Sequence, residues 1–196
     1  MTKPILINSY PRSGSVFLAE LINSMRTMQY ETTVVHLPQI IGIDEVITIT
    51  IIRNPKECIT SDIFKWLLVG KLPENINELD IIIKSECKNY LYFLEMSKLK
   101  KSYLINFDKL IKNPKEEIIK FLNKYNFSSE FNLNIDNVLD VIKQKKFADD
   151  RHDLYTGHFP RGANQDPEYI KIWEYIKNND ILNEAYAMYE EIIKEI

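Results

Sequence analysis

The sequence predicts an α/β fold in which a mainly parallel sheet of four to five strands carries helices on both faces. Three observations point there. Short β-branched runs alternate with longer segments whose apolar residues recur at helical spacing. The run EVITITII at 45–52 is the most strongly β-branched in the chain, as suits a central strand buried on both faces. The first thirty residues read as strand, tight turn and amphipathic helix, the opening βα unit of an open α/β sheet.

Ile5 to Ile7 form an apolar run of strand length, and Tyr10 to Ser15 is the turn. Phe17, Leu18, Leu21, Ile22 and Met25 then recur at helical spacing. Thr33 to His36 is a short strand that breaks at Pro38. The Glu45–Ile52 strand ends in Arg53-Asn54-Pro55, where Asn54 suits an N-cap and Pro55 a first helical residue, so a helix is expected to Leu68. Gly70 to Asn75 is a loop, and a long helix covers Asn77 to Leu99. Ser102 to Asn106 is another buried strand, and Asn113-Pro114-Lys115-Glu116 opens a helix through Tyr125. A further helix is expected between Ile135 and Lys145. From Phe147 to Pro167 there is little periodicity, which predicts a lid-like surface loop. Helices at Pro167–Lys177 and Ile181–Ile196 close the chain.

A length of 196 residues suits one domain spanning 1–196 with a sizeable core. The net charge of −3 argues against general nucleic-acid binding, so an anion site would have to be local. Cys58 and Cys87 lie in helix-like stretches without ligand spacing, which predicts reduced thiols. No signal-peptide pattern and no membrane-spanning run is visible, so the expectation is a cytoplasmic protein without a membrane partner. No pattern encodes an oligomeric state.

The first turn has the chemistry of an anion site. A strand that delivers a Gly- and Ser-containing loop to a helix N-terminus converges several backbone N–H groups, and the helix dipole adds partial positive charge. Gly14 permits close approach, and Arg12 adds a fork suited to phosphate or sulfate oxygens. An ordinary βα turn with a Ser cap has the same outline. The nucleotide-hydrolase loop Gly-x-x-x-x-Gly-Lys-Ser/Thr is not met, because there is no first Gly and no Lys follows Gly14.

Four stretches stand in one order: Tyr10-Pro11-Arg12-Ser13-Gly14-Ser15; His36-Leu37-Pro38; Ile52-Arg53-Asn54-Pro55-Lys56-Glu57 with Ser61 beyond; and Phe107-Asp108-Lys109-Leu110 leading to Asn113-Pro114. This order resembles the sulfotransferases that use 3′-phosphoadenosine-5′-phosphosulfate (PAPS). Their patterns are Tyr-Pro-Lys/Arg-Ser-Gly-Ser/Thr, His-Leu-Pro, Arg-Asn-Pro-Lys-Asp with a Ser eight residues after the Arg, and Tyr-Glu-Asp-Leu…Pro. The match covers residues 4 to about 125.

The resemblance implies a P-loop-like three-layer sandwich and sulfuryl transfer from PAPS to a hydroxyl or amine of a small molecule or glycan, without a metal. Arg12, Ser13, Gly14, Ser15, Val16 and Phe17 would hold the phosphosulfate end, with Arg12 also acting on the leaving oxygen. Arg53 and Ser61 would hold the 3′-phosphate, and His36 would be the general base. Imidazole titrates near neutrality and suits that task. Arg161 and Gly162, in Phe159-Pro160-Arg161-Gly162, match a late Arg-Lys-Gly stretch only weakly. Asp149-Asp150-Arg151-His152-Asp153 reads as a solvated charged loop, since its carboxylates are adjacent and no ligand set converges.

The chain departs from the family at several positions. Arg12 stands where many members carry Lys, Val16 and Phe17 replace Thr-Trp, Val34 replaces a second Lys, and Phe107 replaces Tyr. The Val16 and Val34 departures support a second reading, a non-catalytic member that binds nucleotide or a protein partner, against which His36 is retained. A small-molecule kinase of related fold is a third; the missing Gly-Lys-Ser/Thr and the absence of a clear magnesium-binding Asp after a strand count against it. The acceptor is not coded in any stretch; its pocket would be lined by the loops after Pro38 and around Trp66 to Pro73, and by the lid.

Overall fold

A computed structural model describes residues 4–25, 32–36, 46–71, 76–99, 102–127, 136–137, 140 and 166–196. Their elements are β1 (Ile5–Ser9), α1 (Ser15–Met25), β2 (Thr33–Val35), β3 (Ile47–Ile52), α2 (Pro55–Leu68), α3 (Ile76–Leu99), β4 (Tyr103–Asn106), α4 (Phe107–Lys112), α5 (Pro114–Lys124), α6 (Pro167–Ile176) and α7 (Asp180–Glu195). The helix expected at Ile135–Lys145, apart from three residues, and the lid-like loop up to Asp166 lie outside the described residues.

The described strands form one parallel sheet in the order β2-β1-β3-β4. β1 lies between β2 and β3, with Asn8 opposite Val35 on one side and Ser9 opposite Ile51 on the other. Successive strands thus leave β1 in opposite directions. That makes the carboxyl ends of β1 and β3 the switch point at which open α/β sheets bind ligands. Arg12 and Arg53 follow those two ends.

Strand alternation sends side chains to two cores. Ile5 and Ile7 of β1, Ile47, Ile49 and Ile51 of β3, and Ile105 of β4 join α1 and α5 in one cluster. Ile52 points the other way and joins Tyr10 and the apolar faces of α2, α3, α6 and α7. Helices therefore cover both faces, as the alternation of the sequence requires. Cys58 and Cys87 are free thiols buried in the second cluster.

Local signals account for most boundaries. Asn54 caps α2 by accepting from the Lys56 N–H at 3.0 Å, and Pro55 occupies the first turn. Asn179 caps α7 in the same manner, accepting from Ile181 and Leu182. The fourth stretch is a correction to the sequence reading. A helix was expected only from Asn113, but α4 already begins at Phe107, because the Asn106 side chain accepts from the Lys109 N–H at 3.0 Å. Asn113 makes no side-chain cap to α5, which starts on Pro114.

Phe121 is the hub of the first cluster. Its buried ring meets Tyr103 and Tyr125 at 5.4 Å and Phe127 at 6.0 Å. Phe121→Ala is expected to destabilise the domain by about 3–5 kcal/mol. Urea titration followed by circular dichroism measures this, and a loss below about 1 kcal/mol would mean that the ring is not part of the core.

Candidate functional site

The chain leaves β1 through a turn with the features of type II. The Ser13 N–H donates to the Tyr10 carbonyl at 3.2 Å, Pro11 takes the second position, and Arg12 takes the third with φ 66°. Proline is preset for its position, whereas an L-residue at the third position is strained. Gly14 follows at φ 85°, and the chain then enters α1, whose first N–H groups lack intrahelical acceptors. Ser13 is buried with its Oγ 3.4 Å from Cys58 Sγ. Burial pushes the Cys58 thiol up to about 11, so it stays protonated and neutral beneath the loop.

Tyr10 anchors the front of the turn. Its hydroxyl donates to the Glu86 carboxylate and lies 3.3 Å from the Glu86 carbonyl, and its ring packs edge-on to Tyr90 at 4.6 Å. Tyr90 in turn donates its hydroxyl to the Arg53 carbonyl. α3 thereby grips both the first turn and the end of β3.

The two arginines meet through the turn. Arg53 Nη1 donates to the Arg12 carbonyl at 2.9 Å, and its Nε and Nη2 donate to Glu57 Oε2 at 3.0 and 2.8 Å. Its guanidinium lies over the Phe107 ring, 4.5 Å from the centroid. Three of its five N–H groups are thus committed to protein acceptors, and the other two have none among the described residues. Arg12 Nε donates to Ser61 Oγ at 3.2 Å. Ser61 thus touches Arg12, while Arg53 is tied to the Arg12 main chain. The sequence places these residues 41 to 49 positions apart.

The electrostatics favour an anion here. Burial pulls the Arg12 guanidinium down to about 10, with Arg53 pushing in the same direction and Asp62 opposing. Two neighbouring cations, both partly dehydrated, are relieved by a multiply charged anion, so the donor set fits phosphate or sulfate groups. Among the described residues, no cluster of His, Cys, Asp and Glu is arranged to hold a metal ion.

His36 follows β2 immediately, and its Nδ1 lies 3.2 Å from Ser9 Oγ at the end of β1. Partial burial lowers its titration below the ordinary 6.5; a hydrogen bond to the Ser9 main chain opposes this, and Lys65 adds to it. The side chain as a whole is exposed, so the dehydration belongs to the edge that faces the sheet. Ser15 is buried in the first turn of α1, Val16 is exposed, and Phe17 packs partly buried against the first core. Arg161 and Gly162 lie outside the described residues.

Sequence reasoning passed over several neighbours. Glu57, read only as part of a motif, holds Arg53. Asp62 is almost fully buried, accepts from Trp66 Nε1 at 3.2 Å and is raised above the ordinary carboxylate range by burial and by Glu86. Tyr169 of α6 stands edge-on to Phe64 at 5.5 Å, within the electrostatic reach of Arg53, Glu57 and Arg12. Glu57 was visible as the residue four positions after Arg53 on a helix start. No local signal marks Asp62 or Tyr169.

No known protein-family pattern matches the chain, and no curated protein matches it in sequence. Among solved structures, mouse sulfotransferase SULT7A1 complexed with PAP is similar, with a TM-score of 0.51 over 98% of this chain and 83% of that one, at 15% identity. The fold is sulfotransferase-like. In that sulfotransferase-like frame, the turn after β1 and the end of β3 sit together at the switch point of the sheet.

Gly14 has a further constraint. A Cβ there would enter the Phe107 ring, and the positive φ adds backbone strain. Gly14→Ala is expected to lower the melting temperature clearly. Phe107→Ala should remove the clash but not the strain, so the double variant should be more stable than the sum of the two single losses by about 1 kcal/mol or more. Strict additivity in thermal melts would remove Phe107 as the neighbour that excludes a side chain.

Proposed function

We propose that the chain is a sulfotransferase that moves a sulfuryl group from PAPS to a hydroxyl or amine. The observation that carries this reading is the meeting of Arg12, Ser61 and Arg53 in one site, with Arg12 Nε 3.2 Å from Ser61 Oγ and Arg53 Nη1 2.9 Å from the Arg12 carbonyl. The sulfotransferase-like fold and the motif order support it. PAPS would supply the activated sulfuryl group. The loop N–H groups at Gly14, Ser15 and Val16, together with Arg12, would meet charge on the sulfuryl and leaving oxygens. Arg53 would offer its two uncommitted N–H groups to the 3′-phosphate, with Ser61 close by through Arg12. His36 would accept the acceptor's proton as the acceptor atom bonds to sulfur and the bond to the leaving phosphate oxygen breaks.

A small-molecule or glycan acceptor and a cytoplasmic setting belong to the same proposal. No helix of the described residues is long and apolar enough to cross a membrane. One observation favours the non-catalytic alternative: the Glu57 carboxylate already sits on Arg53, so a nucleotide phosphate must share that cation. Binding of the bisphosphate without turnover of any acceptor would select that alternative.

Adenosine 3′,5′-bisphosphate should bind clearly more tightly than adenosine 5′-monophosphate. Arg53→Ala should weaken the bisphosphate by roughly tenfold or more, since a charged hydrogen bond is worth about 1.5–3 kcal/mol. Calorimetry checks both, and equal affinities for the two nucleotides would end the 3′-phosphate assignment.

His36→Ala should leave nucleotide affinity nearly intact and reduce turnover by about 10²–10⁴. A base whose folded pKa is lowered is deprotonated through neutrality and protonates only as pH falls through that lower value. The acidic limb of the rate profile should therefore have its midpoint below the ordinary 6.5, and the variant should lack the limb. A screen with labelled phosphosulfate over a pH series measures this. An unchanged rate in a folded variant would remove His36 from the chemistry.

A further inference from the structure

We propose that Ser9 is the positioning residue of the His36 imidazole, fixing hydrogen on Nδ1 and leaving the Nε2 lone pair for the proton transfer; the catalytic meaning of this rests on the sulfuryl-transfer reading. The placement follows from the sheet. β1 and β2 run parallel with Asn8 opposite Val35, so the next step along each strand sets Ser9 beside His36. Ser9 is fully buried as the last residue of β1, and its Oγ lies 3.2 Å from His36 Nδ1. The preceding residues Ile5, Leu6 and Ile7 are apolar and fill the interior. A hydroxyl in this buried row falls where the strand meets an imidazole.

The hydroxyl alone does not choose the tautomer, because it can donate to Nδ1 or accept from it. The proton transfer makes the choice. Nδ1 faces the buried Ser9 hydroxyl, so the nitrogen left for an acceptor is Nε2, and a lone pair there requires the hydrogen on Nδ1, donated to Ser9 Oγ. A hydrogen bond between the ring and the Ser9 main chain favours the imidazolium and agrees with a protonated Nδ1. Among the described residues, Lys65 of α2 is the charged group that bears on the imidazole, and it disfavours protonation without selecting a tautomer.

The Ser9 side chain is fully buried against the ring, so Ser9 would act through His36 alone. The contact also separates two kinds of support. Backbone pairing at Ser9 and Ile51 holds the strand whatever side chain is present, whereas only the side chain adds the 3.2 Å contact. A side-chain change at this position should therefore alter the ring before it alters the sheet.

The test is a long-range proton–nitrogen correlation spectrum of the full chain with labelled histidine, above the pH of imidazole titration. His36→Gln assigns the signal among the three histidines. Wild type is expected to show hydrogen on Nδ1 and a bare Nε2. Ser9→Ala should shift the ring toward a tautomer mixture, move its titration and lower turnover by about three- to tenfold, the worth of one neutral hydrogen bond, with bisphosphate affinity unchanged. Ser9→Thr, which keeps the hydroxyl, should restore the wild-type spectrum. Hydrogen on Nε2 in wild type overturns the inference, as does a folded Ser9→Ala protein whose His36 tautomer and titration are unchanged. If Ser9→Ala does not fold, the wild-type and Ser9→Thr spectra decide. The expected spectra in a protein that sulfates no acceptor would uphold the positioning role and remove the sulfuryl-transfer reading instead.

Discussion

Arg12 holds a left-handed backbone, φ 66°, at a position where an L-residue costs about 1–2 kcal/mol relative to its relaxed conformations. The Arg53 N–H on the Arg12 carbonyl is the contact that ties this strained turn to the rest of the sheet. Glu57 and the Phe107 ring restrict the Arg53 side chain from two more sides, and Tyr90 fixes the Arg53 main chain. The turn therefore depends on α2, α3 and α4 together. A loop of backbone donors is useful to an anion only if it does not have to be reorganised on binding, and this bracing supplies that rigidity.

The same contacts show why the site is dense with charge yet internally balanced. Glu57 neutralises much of Arg53, and the Asp62 charge partly offsets Arg12. Without these carboxylates, two guanidiniums beside a helix N-terminus would repel each other in a partly dry environment. With them, the fold tolerates the pair, and a net charge of −3 for the whole chain coexists with one local cationic site. The cost is that any anion competes with residues already in place. Selectivity in such a site comes from matching geometry more than from bare charge.

On the opposite side of β1, β2 is the edge strand among the described residues and brings a different group. It is only three residues long, and its register against β1 delivers His36 next to Ser9. The two flanks of β1 thus carry different groups, with cationic side chains toward β3 and the imidazole toward β2. That division is a direct consequence of the strand order β2-β1-β3-β4, which puts the first strand in the interior of the sheet.

Much of this was determined by the sequence alone. The β-branched run ending at Ile52, the Asn54-Pro55 start of α2, the turn at Tyr10 to Ser15 and the parallel α/β class all rest on local chemistry that acts whatever the partner: propensity, capping and preset proline φ. Asn106 was legible as the end of a strand but not as the N-cap of α4, since the sequence marks a helix start only at Asn113. Tertiary structure alone decided which distant side chains meet. No spacing rule announces that Ser61 faces Arg12, that Phe107 fills the space a Gly14 side chain would need, or that Tyr169 arrives from the C-terminal helices. These contacts follow from strand order and from which face of each helix is apolar. Both are settled only when two cores close on one sheet, because burial is a property of the packed whole and not of any segment.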